Sequence, residues 1–127
     1  MISFDSFVME DGSPIYMQIL LYIKRGIVAG KILHDDELPS RRLLSSLLGV
    51  NPNTVQKAYK LLEDEGLIRS QTGAASIMQL DANKIETVRR ELLESDTRNV
   101  IRAMRQMGVT QEQAIRLIER FWNEVEL

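Results

Sequence analysis

Only three residues, Gly49-Val50-Asn51, separate two helix-forming segments of this chain, and that short interval restricts the fold more than any other feature. The first segment follows Leu38-Pro39. A residue before proline is pushed out of the α region, so the chain arrives extended, and Ser40 can cap a helix running through Leu48 and stopping at Gly49. The second segment opens on Asn51 as N-cap with Pro52 at its first position, carries a stripe of Val55, Ala58, Tyr59 and Leu62, and stops at Gly66. Helices joined by so short a glycine-containing turn cannot lie antiparallel and far apart. They form a helix-turn-helix, whose second helix is the reading element.

The flanking chain extends this motif into a domain. Ser13-Pro14 repeats the pattern of an N-cap followed by an N1 proline, and Ile15, Ile19, Tyr22, Ile23 and Ile27 recur at helical spacing up to Gly30. Before it, Ile2, Phe4, Phe7 and Val8 with the Asp11-Gly12 turn predict an extended arm over residues 1–12, packed on the body. Leu67-Ile68-Arg69 and Ser76-Ile77-Met78 flank Gln71-Thr72-Gly73-Ala74 and predict a small hairpin. The expected fold is mainly α with a small β-hairpin: a winged helix-turn-helix over residues 1–79, followed by a short helical dimerisation tail over 80–127.

The tail has its own punctuation. Asp81 caps a helix expected from Ala82 toward Met107, with Ile85, Val88, Leu92, Val100, Met104 and Met107 apolar and Gly108 as its stop. The polar Ser95-Asp96 interval is expected to kink or break it. Thr110 and Gln113 form a capping box for a last helix bearing Ala114, Ile115, Leu117, Ile118, Phe121, Trp122 and Val125. Two helices this small cannot hide such stripes from water by themselves, and aromatic anchors such as Phe121 and Trp122 favour interfaces. Homodimerisation is one outcome; folding back on the winged helix is the other.

Charge is informative only when resolved along the chain. Sixteen basic and eighteen acidic side chains leave a formal −2, yet Leu38 to Leu62 holds Arg41, Arg42, Lys57 and Lys60 with no carboxylate. Asp35, Asp36 and Glu37 precede this window, and Glu63, Asp64 and Glu65 follow it. A local positive field inside an acidic protein is either a solvated face or a polyanion-binding surface. Arg41 reads as a solvated neighbour, as do Arg89, Arg90, Arg98, Arg102 and Arg105 among the acids of the tail.

The chemistry open to 127 residues with one histidine and no cysteine is narrow. Thiolate nucleophiles, disulfides and cysteine-held metals are excluded, and no Ser-His-acid set, phosphate-cradling glycine loop or motif pairing carboxylates with a base can be identified. An enzyme is not expected. His34-Asp35-Asp36-Glu37, an acidic cluster with the sole histidine, is the one candidate metal site, and with no second histidine or cysteine to complete a shell, no metal or other cofactor is expected. The opening residues lack a basic leader, and no run approaches the ~18 apolar residues of a membrane span, so no membrane partner and a cytoplasmic location are expected.

Four ordered blocks now carry a resemblance. Ser13-Pro14-Ile15-Tyr16-Met17-Gln18-Ile19, Leu38-Pro39-Ser40-Arg41-Arg42-Leu43-Leu44, Gly49 through Tyr59, and Leu62-Glu63-Asp64-Glu65-Gly66-Leu67-Ile68 look like the DNA-binding domain of GntR-family bacterial transcriptional regulators. The match covers roughly residues 13 to 78, and the residues after Met78 resemble the two-helix tail of the YtrA subfamily. The resemblance implies a transcriptional repressor that binds an inverted-repeat operator in double-stranded DNA as a homodimer. Half-sites would lie about 10 bp or a multiple apart. It implies that Arg42, beside the Ser40 cap, contacts bases or phosphates, a guanidinium being suited to the guanine O6/N7 edge. Asn51, Asn53 and Thr54 would open the reading helix on the DNA, although capping alone also accounts for Ser40, Asn51 and Thr54. Gln56 would read a base or hold the backbone, Lys57 and Lys60 would anchor phosphates, and Thr72 and Gly73 would form the wing tip. Met104, Met107, Ile118, Phe121 and Trp122 would line the dimer interface or a pocket for a small-molecule effector.

Three departures from the family pattern stand out. Pro52 occupies a place where many relatives carry arginine, and Ala74 and Ala75 stand where a basic residue and a second glycine are usual. The turn before Leu38 lacks its customary glycine. The net acidity and altered wing also admit a rival: a winged-helix protein-interaction module without specific DNA binding.

Overall fold

The computed structural model describes residues 1–71 and 75–126. In chain order the elements are α1 (Ile15–Val28), β1 (Glu37–Leu38), α2 (Arg41–Leu48), α3 (Pro52–Asp64), β2 (Ile68–Ser70), β3 (Ser76–Met78), α4 (Ala82–Gln106) and α5 (Gln111–Phe121). They fall into two compact units, Met1–Arg89 and Arg90–Leu127.

The first unit is a winged helix-turn-helix. Helix α1 packs on α3, and α2 packs on α3 from another side. Between them Ile19, Ile23, Ile27, Leu44, Val55, Ala58, Tyr59 and Leu62 are sealed from solvent. Burying side chains of this size contributes roughly 1.5–3 kcal/mol each before the entropy cost is set against it. Pro14 is itself the extended N-cap of α1, at φ −60° and ψ 142°, so the predicted start from Ser13 moves by one residue. No side chain caps the helix there; Gln18 instead ties the preceding arm to α1, its Nε2 donating to the carbonyls of Glu10 (2.8 Å) and Ser13 (2.9 Å) and its Oε1 accepting from the Glu10 N–H (2.9 Å).

The arm is fastened at further points. Ile2 and Phe4 are buried, Phe4 and Phe7 pack on the Tyr22 ring, and the Tyr22 hydroxyl donates to the Ser3 carbonyl at 2.8 Å. The Ile2 N–H donates to the Glu37 carbonyl at 2.7 Å. The predicted hairpin is present as β2 and β3, paired antiparallel with Ile68 opposite Met78 and Ser70 opposite Ser76. It is not alone, however. The two-residue β1 pairs with the outer side of β3, giving a three-stranded sheet in the order β1-β3-β2. So short an edge strand has almost no alternation to detect in sequence.

In the second unit the last turns of α4 are followed by Gly108 at φ +77° and then α5. Thr110 and Gln113 make the full capping box that begins α5. Helix α4 is continuous through Ser95-Asp96, so the chain does not break there. The neighbouring Thr97 hydroxyl donates back to the Leu93 carbonyl at 2.6 Å, so this polar stretch is accommodated inside the helix. No α5 residue is buried.

Candidate nucleic-acid interface

The helix-turn-helix is held by caps at each joint. The Ser40 hydroxyl accepts from the Leu43 N–H at 3.1 Å, Gly49 ends α2 in the left-handed conformation at φ +66°, and the Asn51 side chain accepts from the Asn53 N–H at 2.8 Å. A side chain at Gly49 would be strained there, which is why the turn needs glycine. Deep in the joint, the Tyr59 hydroxyl donates to the Pro39 carbonyl at 2.7 Å. Burial pushes this phenol well above its usual titration range, partly opposed by the charge of Arg41. Pro39, the residue that brings the chain into α2, is thereby hung from the middle of α3.

With Val55, Ala58, Tyr59 and Leu62 inside, the opposite side of α3 presents Asn53, Gln56, Lys57 and Lys60 to solvent, and Arg42 is exposed near the start of α2. Asn51 is exposed too, and Ser40 and Thr54 are half-buried. Of the sequence-predicted contact residues, Thr72 and Gly73 lie outside the described residues. Ser40 and Asn51 already use a side-chain oxygen for capping, so part of their hydrogen-bonding capacity is committed.

The four cations of the basic window differ in surroundings. Arg42 has an exposed guanidinium. Arg41 is not a solvated neighbour: its guanidinium lies over the Tyr59 ring, 5.2 Å from the centroid, and its Nε is buried. Lys57 sits over the Tyr16 ring at 4.0 Å. Lys60 donates to Asp64 at 2.8 Å, a bond that with the Asp64 charge raises the titration range of its ammonium. The other two acids that follow the window are also engaged, Glu65 with Lys24 at 2.7 Å and Glu63 with the Ser70 hydroxyl at 3.2 Å. Tyr16 escaped sequence reasoning because its partner is forty-one positions away in the chain, beyond any local spacing rule.

The anomalous turn before Leu38 has a structural explanation. Asp35 adopts φ +69°, the left-handed conformation that a glycine would ordinarily fill and that aspartate tolerates better than most residues. Its N–H donates to the Met78 carbonyl (2.9 Å), the Met78 N–H returns a bond to the Asp36 carbonyl (2.8 Å), and Asp36 Oδ2 accepts from the Leu33 N–H (2.7 Å). His34 Nδ1 accepts from the Leu80 N–H at 2.9 Å. The residues of the hard-ligand cluster thus tie the turn to β3, and among the described residues no group of three such side chains is placed to hold a metal.

Lys84, in the first turn of α4, was not singled out by any motif. Its ammonium donates to the carbonyls of Gly66 (2.7 Å) and Gln79 (3.2 Å), placing a cation at the C-terminal end of α3, where the helix dipole favours it.

In the Arg90–Leu127 unit, Met104 lines a hollow of about 460 Å³ with Ile101, Arg105, Val109, Thr110, Gln111 and Ala114. Met107, Ile118, Phe121 and Trp122 do not line it; they are exposed, Met107 and Trp122 each at 74%. Among the described residues no helix is long and apolar enough to cross a membrane.

Comparison with known proteins agrees with this geometry. The family model of bacterial regulatory proteins, gntR family, matches residues 15–77, which include the helix-turn-helix, β1, β2 and all but the last residue of β3. The solved structure of a GntR family transcriptional regulator from Listeria monocytogenes is similar at a TM-score of 0.77 and 34% identity, over 93% of this chain and 100% of that one. The HTH-type transcriptional regulator YhcF of Bacillus subtilis (strain 168) is 28% identical over 88% of this chain and 93% of its own length. The HTH-type transcriptional repressor YtrA of the same organism is 40% identical over 58% of this chain and 56% of its own length. With residues 15–77 matched by the family model and nearly the whole chain matched in fold to a family member at 34% identity, the chain belongs to the GntR family of bacterial transcriptional regulators.

Proposed function

We propose that this regulator is a repressor of the short-tailed, YtrA-like kind, which binds an inverted-repeat operator in double-stranded DNA as a homodimer in the cytoplasm. The observation that carries the DNA-binding surface is the solvent side of α3: Asn53, Gln56, Lys57 and Lys60 follow one another along it, with Arg42 nearby in sequence on α2 and no carboxylate between Leu38 and Leu62. Arg42 and Gln56 read base edges, Ser40, Asn51, Asn53 and Thr54 hold the backbone at the helix start, and Lys57 and Lys60 anchor phosphates. The similarity to YhcF along 88% of this chain supports a short-tailed relative, and the similarity to YtrA supports repression.

Residues 1–79 bind DNA and residues 80–127 pair the subunits. The support is the exposed Ile118, Phe121 and Trp122, apolar and aromatic side chains of the kind that fill interface centres. A small-molecule effector would enter beside Met104 and Met107. The direct test is fluorescence anisotropy on DNA from the protein's own upstream region, against random-sequence DNA, at two salt concentrations. Tight binding to the upstream DNA that weakens steeply with salt is expected, with Arg42→Ala losing about 1–3 kcal/mol of operator affinity. Binding to neither DNA would replace this reading with a protein-interaction module.

A further inference from the structure

The basic window offers four cations, but only two keep an exposed charge with no carboxylate at ion-pair distance among the described residues: Arg42 and Lys57. Arg41 is drawn back over Tyr59, and Lys60 is held by Asp64. Lys57 differs from Arg42 in being held. Its ammonium stands 4.0 Å from the centroid of the Tyr16 ring, and Tyr16 is the second residue of α1.

The two ways of holding a lysine have opposite electrostatic results. A carboxylate partner cancels the field of the ammonium, so a phosphate must compete with it. An aromatic face attracts the ammonium through its quadrupole and leaves the full positive charge available. It also restricts a side chain that is otherwise among the most costly to immobilise on binding. We propose that Tyr16 is a positioning residue for DNA binding, its ring presetting the Lys57 ammonium as a phosphate clamp where α1 meets α3. The inference rests on the DNA-binding reading above and extends the contact surface from the helix-turn-helix to the first turn of α1.

The test uses the full chain and a random-sequence duplex, because a phosphate contact is independent of sequence. Affinity is measured across a salt series for the wild type, Lys57→Gln, Tyr16→Leu, Tyr16→Phe, and the Tyr16→Leu, Lys57→Gln double variant. Lys57→Gln is expected to lower the log–log salt slope by about 0.9 for each subunit bound. Tyr16→Leu is expected to weaken binding about 2- to 5-fold, the range of an exposed cation–ring contact, and Tyr16→Phe to keep wild-type affinity because the ring remains. With Gln already at position 57, Tyr16→Leu should cost nothing more. An equal loss from Tyr16→Leu with and without Lys57 would reduce Tyr16 to a packing residue and overturn the proposal. So would an unchanged slope in Lys57→Gln, a result that does not depend on Tyr16→Leu folding. A wild type without salt-dependent binding would instead overturn the DNA-binding reading itself.

Discussion

Along α3, Val55, Ala58, Tyr59 and Leu62 are all sealed from water, whereas along α5, Ile115, Leu117, Ile118 and Phe121 all remain exposed. Both helices have a capped start and an apolar stripe at helical spacing. What separates them is the supply of neighbours. Three elements pack on α3, namely α1, α2 and β2, while no α5 residue is buried and only Ala114 is even half-covered. An amphipathic stripe therefore states which side of a helix avoids water, and says nothing about whether one chain can provide the cover.

Substitutions in the two regions should separate these cases. The largest effect is expected at Tyr59, where Tyr59→Ala removes a fully buried ring and the bond to Pro39; a loss of about 3–5 kcal/mol should appear as a lower urea midpoint. In α5 and its end, Phe121→Ala with Trp122→Ala should leave that midpoint almost unmoved at low protein concentration. The same pair should weaken self-association in sedimentation equilibrium by about 2 kcal/mol or more. A fall in folding stability with no change in assembly would show that the stripe is covered within one chain. Next in size, Lys84→Met leaves the Gly66 and Gln79 carbonyls without their donor and should cost about 1.5 kcal/mol in the same urea titration. Smallest and opposite in sign, Asp35→Gly relieves the left-handed backbone and should raise stability by up to about 1 kcal/mol, the exposed contact with Arg69 being worth little. No gain there would mean that the Asp35 side chain contributes more than the strain costs.

The parts of the fold that were legible in the sequence are those governed by local rules. The caps at Ser40, Asn51 and Thr110, the glycine stops at Gly49, Gly66 and Gly108, and the α3 stripe each follow from residues within a turn or two of one another. The features that were not legible depend on partners far along the chain. The β1 edge strand needs β3, the Lys84 bonds need the end of α3, and the role of Arg41 needs the Tyr59 ring. At the Ser95-Asp96 stretch a weak local preference for breaking was overridden by flanking turns rich in good helix formers, Arg89-Arg90-Glu91-Leu92-Leu93-Glu94 before it and Arg102-Ala103-Met104-Arg105 after it. For the candidate interface, the residue types were readable in order along α3, but their unequal electrostatic standing was not. Nothing in the spacing of Lys57 and Lys60 distinguishes an ammonium on a ring from one on a carboxylate.

The bond from Tyr59 to Pro39 also bears on how such a regulator can be switched. Changing the angle between α2 and α3 would break a buried hydrogen bond and expose a ring that is now fully covered, which confines such distorted states to a very small population. A signal worth the few kcal/mol of an ordinary allosteric coupling has cheaper places to act. The motif is a stamp of fixed relief, and control over it must be exercised on where and how often it is pressed to the page.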